Sequence, residues 1–139
     1  MAKDKYALDS CALLALIYKE DGFNFVKSIF KQAAEGDVEI SMNKLNLYEA
    51  YYDILRSRGA NQAEAVYGMV LKSPVQIVDG ISDPVFRQGA QLKTKYRMSL
   101  ADSILLGQAL ASDASVITSD HHEFDSVDKN EDIRFTWIR

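Results

Sequence analysis

Short apolar runs of strand character alternate with longer segments of helical period from one end of the chain to the other. That alternation limits the fold more than any other feature. Tyr6–Leu8 is the first run and ends at Asp9. Ser10 then opens CALLALIYKED, a helix that Gly22 helps to close. Phe23, Val26, Ile29 and Phe30 recur at helical spacing, with Gly36 at a stop position. Val38–Ser41 alternates like a strand. Asn43 suits a helix cap before KLNLYEAYYDILRSRG, which ends at Gly59. A further helix is expected from Asn61 to about Leu71, a strand over Val75–Val78, and a helix from Ser82 toward Tyr96. Leu100 to Ala111 reads as a helix, Val116–Thr118 as a strand and Ile133–Ile138 as a last strand, with Ile133, Phe135 and Trp137 on one face. The polar connection from Asp120 to Asp132 reads as a surface loop. Such βα alternation predicts a three-layer α/β/α sandwich around a central, mainly parallel sheet. With 139 residues, one domain spanning 1–139 is expected.

Bulk properties remove several function classes. No apolar stretch approaches the ~18 residues of a membrane span. The start, MAKDKYALDSCALLAL, has basic residues before an apolar run, but Asp4 and Asp9 interrupt it and no small-residue cleavage site follows. The single cysteine, Cys11, cannot form a disulfide within the chain. A reducing, cytoplasmic location is therefore the expectation, with Cys11 as a buried small hydrophobe. The two histidines, His121 and His122, are adjacent, which is not the spacing of a zinc protease, and a loop position is expected for them. Net charge is −4, from 16 basic and 20 acidic residues. That disfavours non-specific wrapping of nucleic acid but not a nuclease, where bound metal supplies positive charge at the phosphate.

In parallel sheets, sites form outside the carboxyl ends of the strands, and acids stand at those positions here. Asp9 follows the first strand and Asp120 the Val116–Thr118 strand. Each also suits ordinary capping or turn chemistry, although Ser10 could cap in place of Asp9. On the helix from Lys44, Leu45, Tyr48, Tyr52 and Leu55 suggest an apolar face, and Glu49 belongs to it. A carboxylate at a core boundary calls for pairing or coordination. Asp53 is its rival on a neighbouring stripe. Ser99-x-x-Asp102 has the spacing of a capping box, and an acid in a first turn suits the helix dipole. Asp9, Glu49, Asp102 and Asp120 are thus four acids from four segments that one rim can gather. Clustered like charges raise one another's pKa values, and Mg²⁺ or Mn²⁺ would relieve them.

DSCALLAL, NLYEAYY, LADSILLGQAL and VITSDHHEF stand in the order and approximate spacing of the PIN domain. Over essentially its whole length the chain resembles VapC-type toxins of toxin–antitoxin systems. The resemblance implies a Rossmann-like three-layer fold and a Mg²⁺- or Mn²⁺-dependent endoribonuclease. Asp9 matches the first-strand acid, and Ser10 the hydroxyl residue after it. Glu49 matches the helix acid, Asp102 the acid of the AD-x-x-L segment and Asp120 the acid after the fourth strand. Ser119 and Phe124 fit the surrounding pattern, and Asp125 can share or replace the role of Asp120. Three of the acids, Asp9, Asp102 and Asp120, would then hold one or two metals, while Glu49 binds metal or positions the attacking water. The same resemblance implies a homodimer and a small antitoxin whose C-terminal segment crosses the acidic groove.

Two basic stretches, Arg56 with Arg58 and Lys93, Lys95 with Arg97, offer phosphate contacts, although solvated helix ends account for them as well. The alternative to a nuclease is a non-catalytic PIN-fold module that docks RNA or protein. A haloacid-type phosphatase wants Asp-x-Asp after its first strand, where this chain has Asp9-Ser10-Cys11. A receiver domain wants an acidic pair near its first strand and a lysine after its last; Asp4 and Asp9 are five apart and the last strand is followed by no lysine.

Overall fold

The structure is a computed structural model describing residues 2–139. Five strands, β1 (Asp4–Leu8), β2 (Val38–Asn43), β3 (Gln76–Val78), β4 (Ser115–Thr118) and β5 (Phe135–Trp137), form one sheet in the order β3-β2-β1-β4-β5. Every neighbouring pair is parallel. Seven helices connect and cover them: α1 (Ser10–Tyr18), α2 (Phe23–Ala34), α3 (Lys44–Arg58), α4 (Ala60–Lys72), α5 (Asp83–Lys95), α6 (Leu100–Ser112) and α7 (His121–Asn130). The expected α/β/α sandwich is the observed fold. No helix among the described residues is long and apolar enough to cross a membrane.

Strand periodicity divides the core between the two faces of the sheet. Leu8 and Ile117 point to one side, where they meet Leu13, Val26, Leu47, Ile54 and Val70 from α1–α4. Ala7 and Val116 point to the other, against Leu92, Leu105, Leu106, Phe124 and Val127 from α5–α7. The chain builds β1, β2 and β3 outward in one direction, then returns to place β4 and β5 beyond β1. The strand order therefore reverses between β1 and β4, which is where a crevice opens in such sheets. The register pairs Leu8 with Ile117, so Asp9 and Thr118 leave the sheet side by side.

Helix α6 carries Asp102 and is buried along most of its length. Its approach to α5 depends on two glycines. A methyl at Gly89 would lie 2.8 Å from the Ser103 carbonyl oxygen, and one at Gly107 would lie 2.7 Å from that of Val85. Backbone thus packs on backbone, which only glycine permits.

Three expectations need correction. Helix α1 stops at Tyr18, ahead of Gly22, because Lys19 takes a left-handed conformation (φ 54°) and its N–H caps the Ala15 carbonyl. The buried stripe of α3 is Leu47, Ala50 and Ile54; Tyr48, Tyr52 and Leu55 face outward. Tyrosine tolerates such a position because its ring carries a polar end. The stretch expected as a loop after Asp120 is helix α7, and His121 and His122 form its first turn. Phe124 and Val127, three apart, anchor α7 in the core, and Asp120 caps it.

Candidate active site

Asp9 occupies the N-cap position of α1, yet its side chain caps nothing. Oδ2 instead accepts from Thr118 Oγ1 at 2.7 Å and from Cys11 Sγ at 3.3 Å, and Oδ1 lies 3.4 Å from Ser10 Oγ. The residue is 3 % exposed. Burial pushes its carboxyl above the usual carboxylate range; the Thr118 and Cys11 hydrogen bonds oppose this, and the Glu49 charge adds to it. Cys11 is accordingly not a mere hydrophobe, since it touches Asp9 and lies 3.4 Å from Thr118 Oγ1. Burial and the Asp9 charge push its thiol up to about 11, so it stays protonated and donates rather than attacks.

Glu49 is half-buried on α3 and accepts from Ser10 Oγ at 2.7 Å, which ties the α3 acid to the end of β1. Its rival Asp53 pairs instead with Arg56 at 3.1 Å, in an exposed setting. Ser99 caps α6 as expected, accepting from the Asp102 N–H at 3.1 Å. The Asp102 carboxyl is buried and pushed up to about 7. Burial is the main cause, followed by the charge of Asp9, with smaller contributions from Glu49 and Asp120, against the favourable Ser99 contact. Asp120 does cap, accepting from Glu123 N–H at 3.2 Å. Asp102 therefore feels the charge of each of the other three expected acids. Asp125 does not join them; it is exposed and sits 2.8 Å from His121 Nδ1.

Sequence reasoning missed two residues that set this geometry. Thr118 is fully buried, and its single hydroxyl donates to Asp9 while accepting the Asp120 N–H at 3.0 Å. Asn46 is also fully buried and donates to the Ala101 carbonyl at 3.0 Å. It pins α3, one turn before Glu49, to the residue preceding Asp102. The register of β1 against β4 is the signal that finds Thr118, and the spacing Asn46-x-x-Glu49 points to Asn46.

The expected phosphate-binding cations are mostly engaged at home. Arg58 stacks over the Tyr18 ring at 4.5 Å, Lys93 donates to the Met98 carbonyl and Lys95 pairs with Glu131.

A PIN domain model matches residues 6–130, which include all four acids. The chain belongs to the PIN domain family. Its fold is similar to that of VapBC2 from Rickettsia felis bound to a promoter DNA fragment (TM-score 0.74, 17 % identity, 95 % of this chain and 97 % of that one). DNA-bound VapBC from Salmonella typhimurium is similar at TM-score 0.75, with 15 % identity over 98 % of this chain and 99 % of that one. The sarcin–ricin-loop-cleaving toxin VapC20 from Mycobacterium tuberculosis gives 0.63, with 14 % identity over 80 % and 86 %. No curated protein matches the sequence. In this PIN domain, no three Asp, Glu, His or Cys side chains among the described residues are drawn together tightly enough to hold an ion as they stand.

Proposed function

We propose that this PIN domain is a Mg²⁺- or Mn²⁺-dependent endoribonuclease, the toxin of a VapBC-type pair. One observation carries the reading: Asp102 is pushed up to about 7 by burial together with the charges of Asp9, Glu49 and Asp120, acids from separate segments at the point where strand order reverses. A fold spends stability on such crowding where function needs it. Hard carboxylate oxygens in mutual repulsion suit a divalent cation chemically. Asp9, Asp102 and Asp120 would hold it, with Glu49 binding directly or through water. Bound Mg²⁺ or Mn²⁺ supplies Lewis-acid polarisation of a phosphoryl oxygen and a water of lowered pKa. Glu49, oriented by Ser10, is the group we assign to hold the attacking water and take its proton. Thr118 and Asn46 keep the acids in register. Asp120 rather than Asp125 is assigned as the fourth acid, since Asp125 is committed to His121.

The proposed partners are RNA, a cognate antitoxin and a second copy of this chain, in the cytoplasm. Two exposed apolar surfaces support protein partners. One is the outer face of α3 with Tyr48, Tyr52 and Leu55, beside a groove of about 570 Å³. The other gathers Ile81, Phe86 and Leu100 around α5 and α6.

Purified protein is expected to cleave RNA with Mg²⁺ or Mn²⁺, to stop in EDTA, and to lose about 100-fold or more of its rate in Asp9→Asn. Cleavage indifferent to both treatments would sink the mechanism. The second reading, a non-catalytic module docking RNA or protein, draws on the separate hydrogen-bond partners that Asp9, Glu49 and Asp120 already have. RNA binding without cleavage of any RNA class would favour it.

A further inference from the structure

Beside the acids, α7 and β5 build a ladder of aromatic rings. Phe124 and Phe135 lie 5.6 Å apart between centroids, Phe135 and Trp137 5.3 Å with planes 14° apart, and Trp137 and His121 3.9 Å with planes 12° apart. The register is simple: i and i+3 on the helix meet i and i+2 on the strand, so each α7 ring faces one β5 ring. Phe124 roots the ladder in the core, and His121 ends it in solvent. Both nitrogens of His121 are occupied, Nδ1 at 2.8 Å from Asp125 Oδ1 and Nε2 at 2.8 Å from the main-chain oxygen of Arg139. One ring face is covered by Trp137, yet the side chain is 47 % exposed. Its exposure therefore runs chiefly through the opposite face. That face belongs to the residue next to Asp120, and its ring is held in place before any ligand arrives.

We propose that the open face of His121 is a stacking platform for an unpaired nucleobase beside the scissile phosphate. This rests on the ribonuclease reading above and specifies how that site would grip a single strand. The acidic rim repels phosphates, and most of the candidate cations are tied to other partners. Attachment through a base, which is uncharged, avoids that repulsion, and stacking on histidine is a common way to hold a splayed base. A rigid, pre-stacked ring binds without first losing side-chain freedom.

The test uses the full chain and a short single-stranded RNA that it cleaves, assayed with Mg²⁺ or Mn²⁺. His121→Ala is expected to raise KM about tenfold, the loss of one base stack, with kcat within about twofold. His121→Phe, which keeps a ring on Trp137, is expected to stay near the wild-type KM. An abasic nucleotide at one position beside the cut is expected to raise the wild-type KM similarly and to add little in His121→Ala. An unchanged KM in His121→Ala, equal losses in Ala and Phe variants, or fully additive losses would overturn the platform. Since Ala also removes the Asp125 and Arg139 contacts, the Phe variant and the abasic series carry the test if Ala lowers the melting temperature. Wild-type protein that neither binds nor cleaves RNA would overturn the ribonuclease reading and the platform with it. Cleavage that ignores every change at His121 overturns the platform alone.

Discussion

The β1–α1 and β4–α7 junctions are the same construction made twice. In each, a strand of the central parallel pair leads to an aspartate at the N-cap position of the next helix, directly after β1 and one residue later, past Ser119, after β4. Asp120 behaves as that position dictates and accepts a helix N–H. Asp9 does not; its carboxylate turns to Thr118, Cys11 and Ser10, and α1 starts without a side-chain cap. Forgoing a cap costs about 1 kcal/mol, and burying a carboxyl costs more. Asp9 is thus the acid whose placement local structure explains least and a shared site explains best. Asp120 is accounted for by its cap, which makes it the weaker evidence for a site although it too holds an N-cap position.

Thr118 joins the two junctions, and its replacement should have the largest effect on stability. Thr118→Val leaves the part-buried Asp120 N–H without its partner and the buried Asp9 Oδ2 with only the weak Cys11 thiol donor. Chemical denaturation should register a loss of about 2–4 kcal/mol, and Thr118→Ser should recover most of it. If Val is tolerated as well as Ser, the two junctions are independent and the hydroxyl only fills space. Next in size is the contrast between the aspartates themselves. Asp120→Ala should cost about 1 kcal/mol through the lost cap. Asp9→Asn, with no cap to lose and a crowded charge removed, should leave metal-free stability equal or higher at pH 8. Equal destabilisation of both variants would erase the distinction drawn between them.

The smallest effect concerns pH. The Asp102 carboxyl is held at about 7 in the folded protein, against roughly 3.9 for a free aspartate. An acid raised on folding binds its proton more tightly in the native state. Its contribution to stability is therefore full below the unfolded value and is lost as pH rises from about 4 through about 7. Metal-free melting temperature should decline across that window, and Asp102→Asn should flatten the decline. Added Mg²⁺ or Mn²⁺ should offset it in the wild type and less in the variant. A slope identical in both proteins would return Asp102 to an ordinary place in a helix first turn.

Much of this was legible in the sequence, and the failures have physical reasons. Alternating strand and helix periods gave the layers, and the rule about carboxyl edges selected Asp9, Asp102 and Asp120. Glu49 was reached by a mistaken route: the outward stripe of Tyr48, Tyr52 and Leu55 is as apolar as the true core stripe, and periodicity cannot rank two such faces. Helix α7 was hidden by its polarity, although Asp120-x-x-Glu123 and the Phe124–Val127 pair carried the signal. Thr118 and Asn46 act through single hydrogen bonds across the fold, and one residue makes no pattern. Only the pairing of Leu8 with Ile117 brings Thr118 to Asp9.

The hydrogen bonds around Asp9 also distinguish its two oxygens. Thr118 and Cys11 both donate to Oδ2, and the short bond from Ser10 goes to Glu49 rather than to Oδ1. Oδ1 is then the less tightly held oxygen, with Ser10 Oγ 3.4 Å away. A cation held at the proposed site would have to displace the proton that Asp102 holds below about pH 7 and release it to solvent. Metal uptake at the proposed site would therefore be a proton-exchange equilibrium, with an affinity that falls as the solution becomes more acidic.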